Sequence, residues 1–126
     1  MEPKLPTPYK EAIFYEDEKL YITLANFPKT KGHTVVVWKA PVTDLHLLKE
    51  EDYDYLMDKV NDARNAIMKT LNIEKVYLVY MNEVKQVHWH LFPRYNEAGF
   101  DVFEHEAGEL KDFSLAEDLK NNFNSN

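Results

Sequence analysis

Hydrophobic and polar positions alternate with a period of two in several short stretches of the chain and with a period near 3.6 in one long stretch. Leu20, Ile22 and Leu24 alternate with Tyr21, Thr23 and Ala25, which predicts a half-buried strand over Leu20–Ala25. A preceding strand is expected over Ala12–Glu16, with Asp17-Glu18 as the hairpin turn between them. His33–Trp38, rich in β-branched residues, reads as a third strand after a loop containing Pro28 and Gly32. Tyr53, Leu56, Met57, Val60, Ala63, Ile67, Met68 and Leu71 recur at three- and four-residue spacing, which predicts a long amphipathic helix over Lys49–Leu71. Glu50, Glu51 and Asp52 crowd its first turn, where the helix dipole favours acids, and Asn72 is a natural C-terminal cap. Thr43–Leu48 reads as a short separate turn before it. Two more strands follow, Lys75–Met81 and Gln86–Phe92, joined by a short polar link, with Pro93 expected to end the second. Ser114 and Glu117 fit a capping box for a short helix over Ser114–Phe123.

Helix-free links between successive strands are short, which favours antiparallel pairing. The order predicts an α+β domain: a five-stranded, mostly antiparallel sheet with one long helix packed across a face and a short C-terminal helix. One domain is expected over residues 1–126, with 1–10 as an extended leader held open by Pro3, Pro6 and Pro8, and 96–126 as a tail.

Composition adds exclusions. The net charge is −7 and the basic residues are scattered, so long nucleic acid is an unexpected partner. The absence of cysteine removes disulfides, thiolate metal sites and cysteine nucleophiles. Apolar runs such as Val35–Trp38 are far too short to span a bilayer, and the N-terminus lacks the apolar core of a signal peptide. No membrane association and a cytoplasmic location are the expectation.

The chemistry concentrates in Gln86-Val-His88-Trp-His90-Leu-Phe-Pro-Arg94. On a strand, residues two apart share a face, so Gln86, His88 and His90 are expected on one side and Val87, Trp89 and Leu91 on the other. Three polar side chains on one face of an apolar strand are not what a core requires. His33, after Gly32 at the start of the third strand, joins them if the third and last strands are neighbours. His46 and His105 read as solvated, Trp89 as a packing residue against the helix or a partner subunit, and Arg94 as a structural pair at a strand end. Phe27 reads equally as a pocket wall or a loop anchor.

Gln86–Arg94 resembles the signature of the histidine triad superfamily, His-x-His-x-His followed by two apolar residues and often Pro-Arg. Lys31–Val37 resembles that family's upstream Gly-His element, and Phe14–Glu18 its opening hairpin; the likeness runs over roughly residues 11 to 95. It implies a nucleotide hydrolase or nucleotidyl transferase in which His88 attacks the α-phosphorus and forms a nucleotidyl-histidine. His90 and His33 would be polar partners, while Asn26, Leu24 and Val35, with Phe27, would hold ribose and base. Asn82 would touch phosphate. It also implies a homodimer, to which Trp89, Tyr53 and Met57 could contribute a buried face. No metal or other cofactor is implied.

Gln86 departs from the pattern, since the family carries its first histidine there. Gln cannot titrate and so cannot give a proton to a leaving group. This implies slowness on poor leaving groups, and it motivates an alternative reading as a nucleotide-binding module with little turnover. The link Asn82–Lys85 is also shorter than in the family's hydrolase branches. A lesser alternative is a zinc site on His33, His88 and His90 with an open fourth position.

Overall fold

A computed structural model describes residues 4–82, 84–98 and 101–123. Five strands form one sheet in the order β1-β2-β3-β5-β4: β1 Ile13–Glu16, β2 Leu20–Leu24, β3 Thr34–Trp38, β4 Lys75–Tyr80 and β5 His88–Arg94. Every pairing is antiparallel. The long helix α1 covers Glu50–Leu71 and a short helix α2 covers Ser114–Asn122. The α+β architecture expected from the periodicities is the one observed.

The β1–β2 turn is tied by Asp17, whose Oδ1 accepts from Lys19 N and Leu20 N. Asn72 ends α1 in the left-handed region at φ 52°, and Ile73 N–H returns to the Met68 carbonyl. The Thr43–Leu48 turn contains a single 3-10 turn, Leu45–Leu47, capped by the Asp44 side chain.

Two local expectations are corrected. Pro93 does not end β5: the strand runs on to Arg94, with Pro93 opposite Val76. Pairing with β3 stops at Leu91, so beyond it the strand is bonded on one side, where a residue lacking N–H is tolerated. Ser114 is not the N-cap of α2. Phe113 holds that position without a side-chain bond, and Asp112 accepts from Ser114 N–H instead.

The two sheet faces serve different ends. Leu20, Ile22, Leu24, Val36 and Leu91 form the main core with Leu56, Val60, Ala63 and Ile67 of α1 and Leu119 of α2. A smaller cluster of Ala25, Val35 and Val37, joined by Tyr21 and Leu5 of the leader, lies on the opposite face. β1 and β4 are the sheet edges. Among the described residues no helix is long and apolar enough to cross a membrane.

Candidate active site

β3 and β5 are neighbours, with Val35 opposite His90 and Val37 opposite His88. The period of two therefore puts His88 and His90 on the face away from α1. His33 joins them from just before β3, and its Nε2 lies 3.0 Å from His90 Nδ1. The His88 and His90 ring centroids are 5.1 Å apart. His33 and His88 are only 5% and 3% exposed. Phe92, next on the same face, packs at 4.2 Å between centroids on His33 and stacks on His90 at 5.7 Å.

The hydrogen bonds fix where the ring protons sit. The Lys29 backbone N–H donates to His33 Nδ1 at 3.1 Å, so that nitrogen is an acceptor and a neutral His33 carries its proton on Nε2. This Nε2–H donates to His90 Nδ1, and His90 in turn carries its proton on Nε2. His88 Nδ1 lies 2.8 Å from the Gln86 carbonyl, an acceptor only, so His88 donates from Nδ1 and keeps a lone pair on Nε2. The cluster thus pairs one unprotonated nitrogen, on His88, with one N–H donor, on His90.

Burial pushes the His33 pKa down to about 3, helped by the neighbouring His90 and Lys29. Burial, with His88 beside it, takes His90 down to about 4. Neutral rings are what the hydrogen-bond chain requires. The unfolded chain binds protons at these positions from about pH 6.5 downward, whereas the folded chain resists them. The stability they contribute is complete above pH 6.5 and is lost as pH falls toward 4. Each tenfold difference in proton affinity is worth about 1.4 kcal/mol, so the loss across that window reaches about 3 kcal/mol for each of the two rings. Urea midpoints at pH 7 and pH 4.5 check this: a clear fall is expected, smaller in His33→Phe, and an unchanged midpoint would contradict it.

Beside the histidines opens a cleft of ≈ 190 Å³ lined by Leu5, Pro6, Tyr21, Ala25, Asn26, Phe27, His33, Val35, Val37 and His90. Its lining is mostly apolar, with the imidazoles of His33 and His90 among it.

The HIT domain family model matches residues 7–97. The chain belongs to the HIT domain family. This HIT domain is 32% identical over 116 residues to an uncharacterised HIT-like protein of Methanocaldococcus jannaschii, a match covering 86% of this chain and 85% of that one. A hypothetical histidine triad nucleotide-binding protein of Sulfolobus tokodaii shares its fold with a TM-score of 0.75 at 20% identity, over 89% of this chain and 83% of that one. A HIT family protein of Bacillus anthracis is 33% identical with a TM-score of 0.63, over 68% of this chain and 65% of that one.

The HIT domain brings together His33, His88, His90, Val35, Asn26 and Phe27, and parts from the sequence reading at three positions. Gln86 precedes β5, and its side-chain amide donates to the Trp38 carbonyl at 2.9 Å. Its backbone, not its side chain, serves the cluster. Leu24 is buried on the α1 side of the sheet, because β2 alternation sends Tyr21, Thr23 and Ala25 to the histidine face. Asn82 donates to Asp44 Oδ2 at 3.0 Å, beside the bond from Tyr80 to the same carboxylate, and so braces the turn before α1. Phe27, 54% exposed, is a cleft wall. Asn26 borders the cleft while its Nδ2 donates to the leader carbonyl of Thr7. Trp89 faces the α1 side, in ring contact with Tyr80. His105, expected in solvent, keeps 39% of its side chain exposed and is also bonded to the Lys29 loop.

Sequence reasoning missed the Lys29 amide and the cleft residues Leu5, Pro6, Tyr21 and Val37. The alternation that marked β2 and β3 held the signal for Tyr21 and Val37; nothing in the leader signalled Leu5 or Pro6. Of the three histidines, His33 Nε2 and His90 Nδ1 lie 3.0 Å apart and bond to each other. Among the described residues no group of three or more His, Cys, Asp or Glu side chains is placed to hold a metal ion.

Proposed function

We propose that this HIT domain hydrolyses or transfers at the α-phosphate of a small nucleotide through a nucleotidyl-histidine on His88. The observation that carries the reading is the bond from His88 Nδ1 to the Gln86 carbonyl, which leaves the Nε2 lone pair as the one available nucleophile among the three rings. Nε2 attacks the α-phosphorus, a P–N bond forms, and the bond to the leaving group breaks. His90 Nε2–H lies beside it to bond a phosphoryl oxygen and to pass a proton to the departing atom. The proton is one taken up from solvent with the anionic phosphate, and as His90 becomes the imidazolium the His33 proton passes to Nδ1, so that His33 Nε2 accepts from His90 Nδ1–H. Water, or an acceptor in transfer, then breaks the P–N bond and regenerates His88. The apolar cleft takes the base, with Val35 and Phe27 as walls and Asn26 at the ribose. The Sulfolobus tokodaii neighbour is described as nucleotide-binding, the same class of ligand.

On this reading the proton donor is His90, so Gln86 does not silence the site. The test is product release from adenosine phosphoramidate and diadenosine tetraphosphate, with chelator present. Release of nucleoside monophosphate unaffected by chelator is expected. Binding without release would favour the module reading, and loss of activity restored by zinc would overturn the histidine nucleophile.

A homodimer belongs to the same proposal. β4 is an edge strand carrying the exposed Leu78 (36%) and following it Met81 (40%), and Tyr53 is exposed on α1. A sheet edge beside exposed apolar side chains favours pairing with a second copy. Sedimentation at micromolar concentration should give twice 14.9 kDa, and a species of 14.9 kDa alone would contradict it.

A further inference from the structure

The two ring protons of the His33–His90 pair could run either way. With the proton of His33 on Nε2, His90 shows an N–H to the cleft. With it on Nδ1, the same 3.0 Å contact is made by His90 Nδ1–H, and His90 presents a lone pair that repels phosphoryl oxygens. Among the described residues, the Lys29 backbone N–H on His33 Nδ1 selects between them. The placement of that amide therefore sets the polarity of the site.

The loop carrying Lys29 is held from outside by the tail. The carbonyls of Asn26, Pro28, Lys29 and Lys31 accept from Leu110 N, Gly108 N, His105 Nδ1 and the Tyr95 hydroxyl. Gly108 N–H holds the Pro28 carbonyl, which shares a peptide plane with this amide, and His105 Nδ1, 3.0 Å from the Lys29 carbonyl, holds the next peptide. Lys29 answers it, its Nζ donating to the His105 carbonyl at 3.2 Å and the Phe103 carbonyl at 3.4 Å. Glu97 Oε2 lies 3.3 Å from His105 Nε2, on the other side of the ring. Phe103 packs edge-on against Phe92, the ring that supports both site histidines.

We propose that His105 is a positioning residue for the site: through the Lys29 carbonyl it holds the loop amide that keeps His33 in its Nε2–H form and so turns the His90 N–H toward the substrate. The part concerning substrate rests on the function proposed above; the part concerning the ring protons does not.

Two isosteric variants test it. His105→Asn places an amide N–H where Nδ1 stood, and His105→Gln places one where Nε2 stood, so only the first keeps the bond to Lys29. The probe is the nitrogen-15 resonances of His33 and His90, which report directly which ring nitrogen is protonated. The wild-type chain and His105→Asn should each show a single form, with His90 protonated on Nε2; His105→Gln should show the two forms mixed. With adenosine phosphoramidate, kcat should fall about 10- to 100-fold in His105→Gln with KM little changed, and recover in His105→Asn, as expected when a reacting group is misdirected. A single, unchanged Nε2–H form in His105→Gln would overturn the proposal, as would a wild-type His90 protonated on Nδ1. A wild-type chain with no turnover would refute the proposed function and leave the resonances to decide this inference.

Discussion

His88→Ala should abolish turnover, lowering kcat about 1,000-fold or more, because it removes the atom that bonds to phosphorus. The residual rate is set by binding and by the His90 N–H, which position the phosphate and stabilise its charge without supplying a covalent route. His88 is buried, so its truncation also frees the Gln86 carbonyl. His88→Asn controls for this, since its amide N–H reproduces the Nδ1 donor and fills much of the ring's place while offering no nucleophile. Both variants should bind nucleoside monophosphate nearly as the wild type does. Activity in His88→Asn within tenfold of wild type would show that the bond to Gln86 matters and the nucleophile does not.

The second large effect is expected at His90, and it should depend on the leaving group. His90→Gln keeps an N–H near the Nε2 position and loses the ability to transfer a proton. For adenosine phosphoramidate, whose amine must leave protonated, the rate should fall about 100- to 10,000-fold, the usual worth of general acid catalysis. For diadenosine tetraphosphate, whose leaving group is a phosphate-type anion, the fall should be about tenfold, reflecting the lost pairing with His33. Single-turnover rates on the two substrates measure the difference. Equal losses on both would assign His90 to binding and charge stabilisation alone.

These expectations rest on a site only partly legible in the sequence. Strand periodicity placed His88 and His90 on one face and marked β2, β3 and α1, because burial on one side of a sheet imposes alternation wherever it occurs. The partnership of His33 with His90 needed the β3–β5 adjacency, which the strand order permits and only the fold decides. Leu24 was assigned to the cleft although its own alternation with Ala25 sends it to α1. Gln86 and Asn82 were read by position in a pattern, while their amides are engaged by the Trp38 carbonyl and the Asp44 carboxylate. Such bonds join residues 48 and 38 positions apart, and no local periodicity carries them. The role of His105 was hidden for the same reason: its partner Lys29 lies 76 residues away.

The measurement closest to the central claim is intact mass of the protein quenched in acid-free conditions during turnover of adenosine phosphoramidate, followed by peptide mapping under alkaline conditions that preserve phosphorus–nitrogen bonds. The account predicts one added nucleoside monophosphate group per chain, on the peptide containing His88 and absent from His88→Asn. Turnover at full rate with no adduct at any quench time, or an adduct mapped to His33, His90 or His105, would contradict it.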